Sequence, residues 1–210
     1  MNLKPLKKSS LILIFLGVTL VLYPLFSSFY AHYQQARLKA SLAAQEKSSP
    51  SKYNKADKND QNPALSDTPS DNIPTGEGFM GAVIEIPAIN LSAAVVKGTA
   101  RSGLNKGPGW YEQSALPGQG NTAIAGHRTM YGAWFRHVDR LKAGDPIILR
   151  YEGKVYRYEV ERVFPVANND WSVIKPCGYP VLTLTTCHPV GSARQRLVVR
   201  AALEETTSAD

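Results

Sequence analysis

Pro146–Phe164 reads PIILRYEGKVYRYEVERVF, two apolar runs separated by Glu152-Gly153. Glycine supplies the positive φ that a tight hairpin needs, so the two runs read as paired strands. In the second run Tyr156, Tyr158, Val160 and Phe164 fall on one face, with Arg157, Glu159 and Glu161 on the other. That is the period of two of a half-buried strand. The same pattern extends in both directions. Ala82–Ile86 (AVIEI) and Leu91–Val95 (LSAAV) flank a turn at Pro87-Ala88-Ile89-Asn90. Asn121–Ala125 is a short buried strand ending at Gly126-His127-Arg128, and Val181–Thr186 and Leu197–Leu203 follow. Gly98–Gly120 is rich in Gly and Pro and reads as loop with a helical turn at Arg101–Leu104. Trp134–Leu141 (WFRHVDRL) carries helical spacing at Phe135, Val138 and Leu141, closed by Gly144-Asp145. Seven or eight short strands with little helix predict a mainly β domain that closes, or nearly closes, into a barrel. There are no internal repeats.

The chain has 210 residues, of which 24 are Lys or Arg and 17 Asp or Glu, a formal net charge of +7. Nine of the basic and three of the acidic residues lie in 1–60, leaving fifteen and fourteen for the rest. The globular part is therefore nearly neutral. A nucleic-acid-binding face needs its cations clustered on the folded domain, so that class is set aside. Two cysteines, Cys177 and Cys187, are too few for a disulfide framework, and their spacing fits no zinc pattern.

The N-terminal basic tail, 1–10, carries Lys4, Lys7 and Lys8 and no acid; Leu11–Tyr30 then runs twenty residues without a charge. As a helix that run spans about 30 Å, the hydrocarbon thickness of a bilayer, and Pro24 is tolerable within it. The preceding lysines put the N-terminus in the cytoplasm and everything after Tyr30 outside. The competing reading, a cleaved signal peptide, needs an unusually long apolar region and a cleavage site near Ser41–Ala44, far beyond it. Residues 31–78 read as an extracytoplasmic spacer, with Ala31–Lys47 continuing the helix into water. From Ser48 to Gly78 the composition is Ser, Asn, Asp, Lys and Pro, too polar to bury a core. The folded domain is expected at 79–203, with a C-terminal tail at 204–210.

Val181–Pro189 reads VLTLTTCHP. Leu182 and Leu184 share one face of this strand; Thr183, Thr185 and Cys187 share the other. With the leucines inside a barrel, Cys187 lies on the outer surface at the strand end. Leu197, Val199 and Ala201 likewise alternate with Arg196, Val198 and Arg200. If the two strands are antiparallel neighbours, Arg196 and Cys187 meet at one end of an outer groove. The chemistry wants these types together. A free thiol is only a few per cent ionised at neutral pH, and a nearby cation favours the thiolate. A histidine then protonates a leaving amine and deprotonates the next nucleophile. A permanently charged guanidinium stabilises a developing oxyanion. Of four histidines, His32 adjoins the apolar run, His137 sits mid-helix and His188 points away from Cys187's face. His127 follows a strand and a glycine, where side chains project into clefts; position alone leaves its role open.

The motif TLTTC at Thr183–Cys187 resembles the signature of the sortase family, a TLxTC strand end. Ala125-Gly126-His127 is similar to the family's histidine at the end of an upstream strand. Arg196-Leu197-Val198-Val199 is similar to its arginine opening the last strand. The anchor, the polar spacer and the opening VIEIPAINL also resemble sortases, so the likeness covers roughly Ala82–Leu203. GPGWYEQSALPGQGNTAIAGHR and TLTTCHP resemble most the class E sortases of actinobacteria, with class D next.

The resemblance implies a mainly β fold, a sortase-type eight-stranded β-barrel with short helices behind one N-terminal transmembrane helix. It implies a cysteine transpeptidase, a hydrolase and acyltransferase of the Gram-positive cell surface. No cofactor is expected, and no metal, since the sequence shows no compelling cluster of loop carboxylates such as some sortases use for calcium. Cys187 is then the nucleophile, His127 the general acid and base, and Arg196 the oxyanion and substrate stabiliser, favoured over Arg194. Thr186 and Trp171 are expected to bind substrate, the latter from the loop Asn168–Pro180 that walls the groove. Implied partners are secreted proteins with a C-terminal LPxTG or LAxTG-like signal, an amine acceptor from a cell-wall precursor or a pilin, and the bilayer through residues 11–30. Cys177 matches no family position; it is a bystander or a reversible disulfide partner of Cys187. Two rivals stand beside this reading. An L,D-transpeptidase would need a His-Gly-Cys run that the chain lacks. A non-catalytic wall-assembly module would leave Cys187, His127 and Arg196 as coincidence.

Overall fold

The computed structural model describes residues 8–48 and 79–209; the tail before residue 8 and the polar stretch 49–78 lie outside those. Helix α1 (Lys8–Ser48) is followed by β1 (Phe79–Ile86), β2 (Leu91–Lys97), the one-turn α2 (Arg101–Leu104), β3 (Gly109–Trp110) and β4 (Asn121–Ala125). Then come β5 (Pro146–Tyr151), β6 (Lys154–Ala167), β7 (Val181–His188) and β8 (Gln195–Ser208). The eight strands close into a barrel in the order β1-β2-β3-β4-β7-β8-β6-β5. The β5–β6 hairpin turns at Glu152 and Gly153, both at positive φ (48° and 68°), the geometry whose twist matches that of the strands.

The barrel is filled from every strand. Ile84, Ile86, Val95, Ile124, Ile147, Leu149, Tyr158, Leu182, Leu184 and Val199 are at most 1% exposed and form one cluster. Phe135, Val138 and Leu141 join that cluster. A second, smaller cluster joins Ala123 of β4 and Val198 of β8 to Val173 and Ile174 of the β6–β7 connection. It seats that connection against Val198, which alternates with the inward-facing Leu197 and Val199, and so builds one wall of the groove described below.

Several local expectations change. Phe164 leaves the face of Tyr156, Tyr158 and Val160 because the β6–β8 register shifts between Val160 and Arg162. An extra residue in one strand inverts the alternation beyond it, and Phe164 packs on the outer cluster instead. Trp134–Leu141 is not an α-helix. Tyr131, Gly132 and Ala133 all take positive φ (49°, 81°, 46°), Phe135 N donates to His127 O at 3.1 Å, and only a 3-10 turn at Val138–Arg140 follows. Spacing by three serves such turns as well as a helix. His137 accordingly sits at the N-cap of that turn rather than mid-helix. Residues 204–208, read as tail, extend β8: Ser208 pairs with Lys154 and Glu205 with Arg157, since the backbone ladder does not require apolar side chains.

Helix α1 is 41 residues long with Pro24 inside, and its Ile12–Ser41 portion is apolar and long enough to cross a membrane. Beyond Tyr30 it does not run free in water as the spacer reading expects. Ala31 (0%) and Gln35 (3%) are buried, and Gln35 hydrogen-bonds to β2.

Candidate active site

The pairing of β7 with β8 places Cys187 directly opposite Arg196. Leu182 and Leu184 point into the barrel, so alternation carries Cys187 to the outside. There Arg196 Nη1 donates to Cys187 Sγ at 3.0 Å. Thr183 and Thr185, on the same outer face, are nevertheless buried, because the β6–β7 connection covers them. That cover is tied down by Asn121: its Nδ2 donates to Val173 O (2.9 Å) and Lys175 O (2.8 Å), while its Oδ1 accepts from Thr183 Oγ1 (2.6 Å). Arg200 Nη2 adds a bond to Val173 O at 3.1 Å. Asp170 caps the 3-10 turn Trp171–Ile174 by accepting from Ser172 N at 3.0 Å. The hydrogen bonds from Ser172 hold the Asp170 carboxyl below its usual pKa.

His127 reaches the site from the parallel partner, β4. Gly126 N continues the β4–β7 ladder to Thr185 O at 3.0 Å. Thr186, expected to bind substrate, is 3% exposed and donates its hydroxyl proton to Gly126 O at 2.7 Å. That bond stitches β7 to the end of β4 and takes the proton a substrate would have used. Gly126 has no freedom to carry a side chain, because a Cβ there would meet the ring of Phe135, itself wholly buried. His127 Nε2 donates to Asn105 Oδ1 at 3.4 Å, and its ring lies 5.6 Å from that of Tyr131. Burial first, and then the charge of Arg101, lower its pKa, so the neutral imidazole persists to lower pH than in water.

Arg128, the next residue, turns the other way and is 3% exposed. Its Nη2 pairs with Asp139 at 3.1 Å; its Nη1 donates to Cys187 O at 3.2 Å and to His188 Nδ1 at 3.3 Å. One dipeptide thus carries the histidine into the cleft and a clamp onto the backbone of Cys187. Sequence reasoning did not single out Arg128. Its signal was parity: the neighbour of a cleft-facing residue faces inward, and a buried guanidinium must find partners.

His127, Cys187 and Arg196 line one open cleft of about 260 Å³, with Tyr111, Asn168 and Trp171 among its other walls. Tyr111 shares a 3.0 Å hydrogen bond with Thr185 and meets Trp171 edge-on at 6.5 Å. Trp171 is 57% exposed, an aromatic rim on the groove. Tyr111 was also missed, because it lay within a segment read only as loop. The other candidates lie elsewhere. Arg194 is exposed, with its backbone N–H on Ser192 Oγ. His188 faces Arg128, and His32 and His137 line a separate groove between α1 and the barrel. Both cysteines are free thiols; Cys177 Sγ donates to Tyr179 O at 3.2 Å.

A family model described as a sortase domain matches residues 84–204. The chain belongs to the sortase family. Among its relatives, sortase SrtE1 of Streptomyces coelicolor is 30% identical over 147 residues, covering 62% of this chain and 41% of that protein. Sortase D of Bacillus subtilis is 33% identical over 127 residues, covering 58% and 63%. The solved structure of sortase E from Streptomyces avermitilis superposes with a TM-score of 0.56 at 35% identity, covering 63% of this chain and 91% of that one. Both classes suggested by the motifs, E and D, are thus represented among these sortases. The chain spans less than two thirds of the length of either relative whose full sequence it matches.

Proposed function

We propose that this chain is a membrane-anchored sortase that cleaves an LPxTG- or LAxTG-like signal between Thr and Gly and joins the new acyl end to an amine. The observation that carries the reading is the 3.0 Å contact of Arg196 with Cys187 Sγ at the mouth of a cleft also lined by His127. The Cys187 thiol gives its proton to His127 as the sulfur attacks the Thr carbonyl carbon; the C–N bond to Gly then breaks, and His127 passes that proton to the departing amine. An incoming amine then attacks the thioester and gives up a proton to His127; the C–S bond breaks, and His127 returns that proton to the Cys187 sulfur. Arg196 lies where its N–H groups can meet the oxyanion formed in both steps. Tyr111 and Trp171 offer an apolar rim for the peptide. The acceptor amine comes from a cell-wall precursor or a pilin lysine. Residues 11–30 serve as the anchor, with the N-terminus inside and the domain of 79–203, extended by β8, outside.

The experiment is incubation of the chain with LPxTG and LAxTG peptides plus hydroxylamine. A hydroxamate of the N-terminal peptide fragment is expected. Folded protein that yields none with any sorting peptide would leave the wall-assembly module as the better reading.

A further inference from the structure

The outer half of α1 is keyed into the barrel. Strand β2 meets β3 only at Val96 and Lys97, which leaves no β3 residue opposite Ala94. Gln35 fills that place. Its Oε1 accepts from Ala94 N at 2.6 Å, and its Nε2 donates to Ala94 O and to Lys106 O, both at 2.9 Å. A buried backbone pair left without partners is costly, so the amide acts as one extra ladder residue. Gly107 makes the space, since a Cβ there would collide with Gln35 Nε2 and Ala94 O. One turn onward, Lys39 Nζ donates to Ser92 O (3.0 Å) and Oγ (2.9 Å). One turn back, Ala31 is fully buried and the ring of His32 meets Trp134 edge-on at 5.0 Å.

A helix fixed this firmly carries the barrel to a definite height along itself. Toward its N-terminus the apolar side chains Ile12–Leu16 are 53–74% exposed, covered by nothing among the described residues. The barrel touches this apolar run as well: Tyr23 and Tyr131 share a hydrogen bond of 3.0 Å between their hydroxyls. Tyr23 precedes Tyr30 by seven residues, about 10 Å along a helix. The loop after His127 therefore meets α1 two turns inside the outer end of the apolar run Leu11–Tyr30. That loop carries Met130, 39% exposed, with Tyr131, a residue type that settles where hydrocarbon gives way to headgroups. Tyr131 is also the residue whose ring lies beside His127.

We infer that the loop Thr129–Trp134 rests in the headgroup layer of the bilayer, so that the catalytic cleft works at the membrane surface rather than at the end of a long spacer. The inference rests on α1 being the anchor, and the test separates the two. The full chain with Cys177→Ser and Cys187→Ala is placed in phosphatidylcholine–phosphatidylglycerol nanodiscs, with a nitroxide on one introduced cysteine at a time. Phe15→Cys reports the anchor, Met130→Cys the loop, and Ala88→Cys the barrel end beyond the Lys39–Ser92 contact. Accessibility to lipid-soluble oxygen and to a water-soluble nickel chelate gives depth. The expected order is position 15 in hydrocarbon, position 130 at headgroup depth and position 88 in water. Position 130 as accessible to the chelate as position 88, with position 15 in lipid, overturns this inference and leaves the anchor standing. Position 15 in water overturns both.

Discussion

Cys187 and Arg196 are held by a ladder, whereas His127 is held by a loop. The first pair sits across two long antiparallel strands, where register alone brings a thiol and a guanidinium to 3.0 Å. His127 stands at the start of an irregular path with three successive positive-φ residues. Its position depends on Phe135 against Gly126, on Asn105 and on the neighbouring Arg128. Strand pairing tolerates changes in side chains away from the pair, but a loop built on close contacts does not. The two halves of the site should therefore fail in different ways.

The largest effect is expected on the ladder side. Arg196→Ala should lower kcat/KM by roughly a hundred- to a thousandfold, the usual cost of losing an oxyanion partner of about 2.7–4 kcal/mol. Arg194→Ala should change it little, because Arg194 is exposed outside the cleft. Equal losses in steady-state transpeptidation would break the claim that register selects the arginine.

On the loop side the clamp comes next. Arg128→Lys keeps a cation for Asp139 but cannot make both bonds to the Cys187–His188 backbone and ring. Loss of one buried charge-assisted hydrogen bond, about 1.5–3 kcal/mol, corresponds to roughly a ten- to hundredfold fall in acylation. Alkylation of Cys187 by iodoacetamide, which needs no aligned histidine, should fall far less. Equal losses in the two rates would mean that Arg128 supports the fold and not the alignment. Gly126→Ala should destabilise by about 1–3 kcal/mol, since the buried Phe135 ring cannot yield, and calorimetry on the folded domain reads that directly. An unchanged Tm would show that the histidine loop is softer than its packing indicates.

The smallest effect is electrostatic. Arg101 helps burial to lower the His127 pKa from its ordinary 6.5. Removing that cation in Arg101→Ala should raise the midpoint, so that His127 takes up its proton at higher pH. Arg101 is solvent-exposed, so solvent and salt screening keep the change small. NMR titration of the His127 ring would show a downward or absent shift if another charge controls it.

The same contrast explains what the amino-acid sequence made legible. Alternation of Leu182 and Leu184 with Cys187, and of Leu197 with Arg196, is a local pattern with one structural solution. The barrel and the facing of that pair followed from it. Phe164 broke the pattern because a bulge, set by pairing with a distant strand, inverted its face. The turns of 131–141 imitate helical spacing while their backbone is governed by the close approach of Phe135 to Gly126. Gln35, Tyr111 and Arg128 act through partners 59 to 74 residues away. No spacing within one element announces such contacts. Thr186 illustrates the same limit: it lines the cleft with Cys187, but no local pattern announced that its hydroxyl donates to Gly126 O.

The central claim is that the Cys187 sulfur, and not that of Cys177, becomes acylated in the cleft it shares with His127 and Arg196. Intact-mass analysis after mixing with a sorting peptide, followed by peptide mapping, tests it most directly. One adduct of the N-terminal peptide fragment is expected on Cys187, lost in Cys187→Ala and retained in Cys177→Ala. An adduct mapped to Cys177, or one that survives in Cys187→Ala, would contradict the account.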